Sequence, residues 1–383
     1  MDRPTPPVTG PLPRRALRIA VIAPPYFPVP PPGYGGIERV VAALVDGLSA
    51  AGHGVTMVAA TGSTGAATVV SPLFEAPVLG DPAAATDEQY HALWAYLRAG
   101  EFDLVHDHTN TGPVVGAMVA GVTPVVHTLH GPWSERSRRL FGLLDGRLNL
   151  VAISHAQRAA NPAVRYAGVV HNGVDMDQHP MGAAKDDFLI FVGRTSAEKR
   201  PDAAIAVARR AGLPVKMVVK SREPGEIRYW NDVVRPLLGS DVEVLEEPPH
   251  EIKVDLMARA RAMIFPIAWA EPFGLVMTEA MACGTPVIAR PLGAAPEVVI
   301  DGVTGFLCRT ETQMVDAVAA AATIDPHACR RRVLDHFSTA SMVEGYERVY
   351  AAVTGTGRSA GVPPRRGLSS QVPDRAGAAS GRG

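Results

Sequence analysis

Two glutamates, Glu271 and Glu279, stand in the segment Ala268 to Pro286, with Pro272 and Gly274 between them. That punctuation predicts a helix start, which leaves backbone N–H groups without intrahelical acceptors. Those of Phe273, Gly274 and Leu275 would face an arriving anion. Glu271 falls just ahead of the helix and Glu279 about two turns inside it. The carboxylates can therefore grip different parts of one long ligand, such as sugar hydroxyls at one end and ribose hydroxyls at the other. One glutamate beside a helix start stabilises any helix and says little alone. The coincidence of strand ends, a proline, two glycines and a second glutamate says more. Cleavage of a glycoside by the pair fits poorly: the helix would separate them by roughly 12 Å, against about 5 Å in a retaining hydrolase, unless the segment bends sharply.

Other residues of the right chemistry sit at the ends of apolar runs. Gly193 and Arg194, followed by Glu198 and Lys199, close one predicted strand, and Lys220 closes the next. Fixed cations at such ends favour a departing anion over its bound ground state, although a lone cation in a loop is commonly solvated surface. Gly35 and Gly36 precede a helix and let backbone approach a phosphate. They lack the GxGxxG spacing, which argues against a nicotinamide enzyme. His127 lies within an apolar strand and reads as core, whereas His130 stands at its end. His106-Asp107-His108 has no further clustered ligand, so it lines the acceptor side of a cleft or caps a strand.

The elements that must position these groups alternate along the chain. Apolar runs at Arg18 to Ala23, Val55 to Ala60, Asp103 to His106, Pro124 to Thr128 and Leu150 to Ile153 predict strands, with helical stretches between most of them. In the first of those helices Ile37, Val40, Val41, Leu44, Val45 and Leu48 recur at helical spacing. After a turn at His171 to Asp175 the scheme repeats, with strands at Phe188 to Val192, Val215 to Val219, Val242 to Leu245, Ala262 to Pro266 and Pro286 to Ala289. Alternation of this kind builds a parallel sheet. The expectation is an α/β protein of two Rossmann-like doubly wound domains facing a central cleft, residues 17–180 and 181–338. A helix over 339–353 follows, crossing back to the first domain, and the ends, 1–16 and 354–383, are expected to be disordered.

With those motifs in order, the sequence resembles the retaining glycosyltransferases of family 4 (glycosyl transferases group 1), of the two-domain GT-B type. That family's hallmark is a glutamate, seven residues, then a glutamate. The likeness spans roughly Arg18 to Val353. It implies that Gly35 and Gly36 form the first glycine loop, that Arg194 and Lys199 bind the donor diphosphate, with Lys220 as a third cation, and that His130 faces the donor sugar. Glu271 would hold sugar hydroxyls and Glu279 the ribose, with the phosphates on the N–H groups of Phe273 to Leu275. The family often has glycine where this chain has Arg200. Asp175-Met176-Asp177 spells the DxD metal signature of a different glycosyltransferase fold, but falls where the family has Asn-Gly-Val-Asp and reads as coincidence. No metal and no cofactor is expected; the nucleotide sugar, UDP-linked most commonly in the family, is a substrate.

Composition sets outer bounds. A chain of 383 residues with net charge -1 has no global attraction for nucleic acid or anionic membrane. Three scattered cysteines make no disulfide framework, and neither a signal peptide nor a membrane span is recognised, so a cytoplasmic location is expected. Phe27, Tyr34, Trp133 and the basic stretch Glu135 to Arg139 are acceptor-side candidates, with membrane contact peripheral at most. A small aglycone, a saccharide and a lipid-linked head group all remain open as acceptors. A nucleotide-sugar epimerase of the same architecture, or a binding protein without catalysis, also remains open.

Overall fold

The computed structural model describes residues 15–355, apart from 34, 74, 78–80, 82 and 120–122. Tyr34 and most of both end segments lie outside the described residues. The first half alternates β1 (Arg18–Ile22), α1 (Gly36–Ala50), β2 (Gly54–Val58), β3 (Thr68–Val70), α2 (Ala84–Leu97), β4 (Leu104–Asp107), α3 (Gly112–Val119), β5 (Val125–Leu129), α4 (Glu135–Leu143), β6 (Asn149–Ala152), α5 (His155–Ala160) and β7 (Tyr166–Val169). Its seven strands are all parallel, in the order β3-β2-β1-β4-β5-β6-β7. Ile19, Ala20, Val21 and Ile22 are fully buried, as a strand covered by helices on both faces requires.

The second half repeats the winding with β8 (Leu189–Arg194), α6 (Pro201–Arg210), β9 (Val215–Lys220), α7 (Pro224–Tyr229), β10 (Val242–Glu246), α8 (His250–Arg259), β11 (Ala262–Phe265), α9 (Leu275–Ala282), β12 (Val287–Ala289), α10 (Ala295–Val298), β13 (Gly305–Leu307), α11 (Glu311–Ala320) and α12 (Pro326–His336). Its six parallel strands run β10-β9-β8-β11-β12-β13. The ten apolar runs read as strands all form strands, with ends shifted by one or two residues. The three strands not foreseen, β3, β7 and β13, are short edges of three or four residues, mostly half-buried or exposed, so they lack the apolar run that marks the interior.

The last helix, α13 (Thr339–Val353), leaves the second half and packs on α1 and β7. Met342, Val343, Tyr346, Val349 and Tyr350 complete the core around Ile19, Val41 and Leu44. Each such side chain contributes about 1.5–3 kcal/mol by leaving water, so the helix fastens the two halves together. In both sheets the strand order reverses beside the first strand of the half, between β1 and β4 and between β8 and β11. Doubly wound sheets bind ligands at the carboxyl ends of their strands beside that reversal, and here the two reversals face one cleft.

Candidate active site

The cleft has a volume of about 480 Å³ and brings together Gly35, Gly36, His130, Arg194, Lys199, Lys220, Glu271, Gly274, Leu275 and Glu279. Of the residues singled out from sequence, Phe273 turns away. Its ring is 2% exposed and packs against Phe337 and His171, with ring centroids 5.8 and 5.9 Å away. It braces the loop from inside the core. Gly274 caps α9 with φ 84°, and a Cβ there would lie 2.5 Å from Met277 Cε.

Glu271 is fixed from three sides. Gly293, at φ 60°, lets its loop pass so close that an added Cβ would sit 2.2 Å from the Glu271 carbonyl oxygen. That oxygen accepts the Ala294 N–H at 2.9 Å. The carboxylate accepts Trp269 Nε1–H at 3.0 Å and pairs with Lys199 Nζ, whose ammonium lies 4.9 Å from the centre of the Trp269 ring. Glu271 and Lys199, expected to serve sugar and phosphate separately, are therefore one ion pair. Arg194 is likewise tethered, to Glu198 at 2.8 Å and Glu226 at 3.2 Å. Lys220 is buried, which lowers its pKa, with Glu226 opposing.

At the other end of α9, both oxygens of Glu279 accept from Lys253 Nζ, at 2.8 and 2.9 Å, and His179 Nε2 stands 3.9 Å away. Burial alone would raise this carboxyl, but Lys253 and His179 hold it well below the usual carboxylate range. Arg39 donates to the carbonyls of Pro31 and Gly33 at 3.2 and 2.9 Å, fixing the loop before α1. Across the cleft the first half offers one cation among the described residues, Arg39, and on the same lining a histidine. Burial pushes His130 down to about 4, and its Nε2 lies 2.8 Å from His108 Nδ1. Glu38, facing Lys220, is pushed up to about 7 because burial outweighs that attraction.

His106-Asp107-His108 does not line the cleft, which corrects the acceptor-side alternative. His106 is fully buried and bonds the hydroxyls of Tyr350 at 2.7 Å and Thr128 at 2.8 Å. Asp107 accepts from the Tyr96 hydroxyl and from the Thr109 N–H at 2.7 Å. Trp133 is also spent on packing, its Nε1–H donating to the Gln157 carbonyl at 3.1 Å. Among the described residues one group has metal-ligand spacing, His155, His171 and Glu297, within 4.8 Å of one another. Its carboxylate already accepts the N–H groups of His155 at 2.8 Å and Ala156 at 2.6 Å, and His171 Nε2 at 3.1 Å, which pins the second half to the first. In the DxD sequence, Asp175 accepts the Asp177 N–H at 3.0 Å within its own turn.

Comparison with known families settles what such a cleft belongs to. The sequence pattern of Glycosyltransferase Family 4 matches residues 34–178, and that of Glycosyl transferases group 1 matches residues 177–330, end to end. The chain belongs to the group 1, family 4 glycosyltransferases. Its two facing α/β halves are the GT-B architecture, and it is an enzyme that uses a nucleotide-sugar donor. A D-inositol 3-phosphate glycosyltransferase of Arthrobacter sp. (strain FB24) is 26% identical, matched over 76% of this chain and 82% of its own. One from Mycobacterium sp. (strain KMS) is 31% identical over 63% of this chain, which spans only 64% of that relative's length. Among solved structures, AviGT4, a glycosyltransferase involved in avilamycin A biosynthesis, is 27% identical with TM-score 0.69, covering 89% of this chain and 99% of its own. A sucrose-phosphate synthase from Thermosynechococcus elongatus shares the fold at 20% identity and TM-score 0.72, over 90% of this chain and 100% of its own.

Several residues of this glycosyltransferase site carry no signal in its sequence motifs. Lys253 reads as one more polar position on α8, and Glu226 as an ordinary first-turn acid of α7. Trp269, two residues before Glu271, was in view as part of the segment, but nothing in the spacing says that its N–H reaches the carboxylate.

Proposed function

We propose that this glycosyltransferase moves a sugar from a nucleoside diphosphate, UDP in the first instance, to an acceptor hydroxyl with retention of configuration at the sugar carbon. The carrying observation is the convergence of the Lys199–Glu271 pair, Arg194 and the open first turn of α9 on one side of a cleft whose other side presents His130. In this reading the diphosphate lies against Arg194, Lys199, Lys220, the Gly35-Gly36 loop and the N–H groups that open α9. Glu279 takes the ribose and Glu271 the sugar hydroxyls. The bond from sugar carbon to phosphate oxygen breaks as the acceptor oxygen bonds to the same face, and the acceptor's proton leaves with the nucleoside diphosphate. The growing charge on the phosphate is met by groups already fixed in place, which is where such sites gain most. No role falls to a metal ion or cofactor.

The acceptor enters beside Tyr26, Phe27 and Asn110. Among the described residues, the first half's only cation on that lining is Arg39, already committed to two carbonyls. An uncharged sugar or ring-bearing acceptor fits this wall better than the inositol phosphate named for the relatives. The test is release of nucleotide from UDP-sugars with neutral saccharides and with D-inositol 3-phosphate offered in parallel, and NMR of the product's anomeric carbon. Acceptor-dependent release with retained configuration is expected. An inverted carbon would falsify the retaining reading, and release that needs no acceptor would remove the transferase step.

A further inference from the structure

The His-Asp-His motif of β4 has no part in the donor grip, yet it touches the active-site histidine. His108 is 2% exposed, lies between the rings of His106 and His130 at centroid distances of 4.0 and 5.2 Å, and bonds His130 Nε2 through Nδ1 at 2.8 Å. Its other nitrogen, Nε2, is buried without a partner among the described residues. We infer that His108 is a positioning residue, which holds the His130 imidazole as the tautomer protonated at Nδ1 and so gives the cleft a hydrogen-bond donor there.

The assignment follows from proton accounting. A neutral imidazole carries one N–H and one bare nitrogen. If His130 Nε2 held the proton and gave it to His108 Nδ1, the His108 proton would sit on Nε2, a buried N–H with nothing to receive it, and orphaned buried N–H groups are the rarer defect. With the proton on His108 Nδ1 the buried Nε2 is only a bare lone pair. His130 Nε2 is then the acceptor, and its proton stands on Nδ1, on a ring that lines the cleft. The His106 ring that backs His108 is itself fixed by the hydroxyls of Tyr350 and Thr128, so α13 supports the stack. The Nδ1–H donates to an uncharged oxygen of the transferred sugar or of the acceptor substrate. This rests on the proposed nucleotide-sugar reading of the cleft.

The test is long-range ¹H–¹⁵N NMR of the full chain labelled with ¹⁵N-histidine, with the His130 signal assigned by its loss in His130→Gln. A protonated Nδ1 and a bare Nε2 at neutral pH are expected; the reverse, or a charged ring, overturns the inference. This readout needs no substrate, so it stands apart from whether transfer is found. In kinetics, His108→Asn keeps an N–H near the Nδ1 position and retains kcat within about threefold, while His108→Leu lowers kcat by about tenfold, the worth of one neutral hydrogen bond, with affinity for UDP alone unchanged. Equal losses in the two variants, or a loss that follows their melting temperatures, would show packing only and overturn the positioning role.

Discussion

Glu279 and Asp107 are both carboxyls shut away from water, one in each half, and burial pushes each upward by the same mechanism. Glu279 meets Lys253 and His179 and is held well below the usual range, whereas Asp107 accepts only from neutral groups, Tyr96 and Thr109, and rises to about 7. The contrast extends across the cleft. The second half confronts a ligand with Lys199–Glu271, Lys253–Glu279 and Arg194 between two glutamates. The first half confronts it with His130, an imidazole that burial pushes down to about 4. Burial disfavours the charged form of each group, and a fixed counter-charge is what reverses that for Glu279. In the proposed reading the diphosphate meets the half where several charges are prepared, and a sugar or acceptor hydroxyl the half where the imidazole is neutral.

Removing a counter-charge breaks the comparison most severely. Lys253→Met leaves the buried Glu279 carboxylate without its lysine and is expected to cost about 3–5 kcal/mol of stability in denaturant unfolding. Replacing both, Lys253→Met with Glu279→Met, restores most of that loss, because an apolar pair of similar volume is tolerated where half an ion pair is not. If the double variant were no more stable than the single, Glu279 would not be held ionised by Lys253 and the contrast between the halves would collapse. In activity, Arg194→Met lowers kcat by about 10²–10³, the scale for losing one preorganised charge at a transition state. A fall confined to KM would mean that Arg194 binds ground state and transition state alike.

The neutral half carries its own signature, an acid one. His91, His127 and His130 stand at about 4, 3 and 4 in the folded chain, against about 6.5 unfolded. Each contributes stability that is complete above pH 6.5 and is lost as pH falls toward its folded value. His106 and His108 are held lower for the same reason, and His250 in the second half, at about 3, acts in the same sense. Glu38 and Asp107, raised to about 7, run the opposite way, with stability present below the ordinary carboxylate range and lost as pH rises through 7. Imidazoles outnumber carboxyls, so the melting temperature should fall from pH 6.5 to pH 5, each net proton worth about 1.4 kcal/mol per pH unit. His127→Phe, a ring with no proton to gain, should flatten the slope, and a profile level over that window would show those rings already charged.

How much of this could be read from the chain depends on whether a group is marked by its neighbours in sequence or only by those in space. Arg194, Lys199, Glu271 and Glu279 stand where apolar runs stop and glycine or proline intervenes, so their position announces them. Lys253 and Glu226 sit on helix surfaces among other polar residues, and nothing local distinguishes a lysine that clasps a buried glutamate from one that faces water. His108 directly follows the buried strand β4, and its contact with His130 crosses to the residue that follows β5. Phe273 was named for its backbone N–H, and nothing in the spacing says that its ring packs inward on Phe337 and His171. The interior strands were legible as apolar runs, while β3, β7 and β13 owe their existence to neighbours and not to their own composition.

Arg200 gives the smallest and most local test. It takes φ 55° and ψ 53° at the N-cap of α6, a left-handed conformation that costs a side chain about 1–2 kcal/mol. Its guanidinium holds Asp202 at 3.0 and 3.1 Å and Glu311 at 3.2 Å, and the Lys199 N–H just before it donates to the Ser196 carbonyl at 3.0 Å. The strained residue thus closes the turn that delivers Lys199 to the ionic wall. Arg200→Gly relieves the strain but gives up partly exposed pairs worth about 0.2–1 kcal/mol and frees the unfolded chain by a similar amount, so its stability should stay within about 1 kcal/mol of the native chain. Arg200→Ala keeps the strain and loses the pairs, and should unfold about 1 kcal/mol more easily than the glycine variant. Equal stability of the two would mean that the turn is not left-handed. A large fall in kcat for the glycine variant would mean that the arginine itself, and not the turn it closes, serves the ionic side of the cleft.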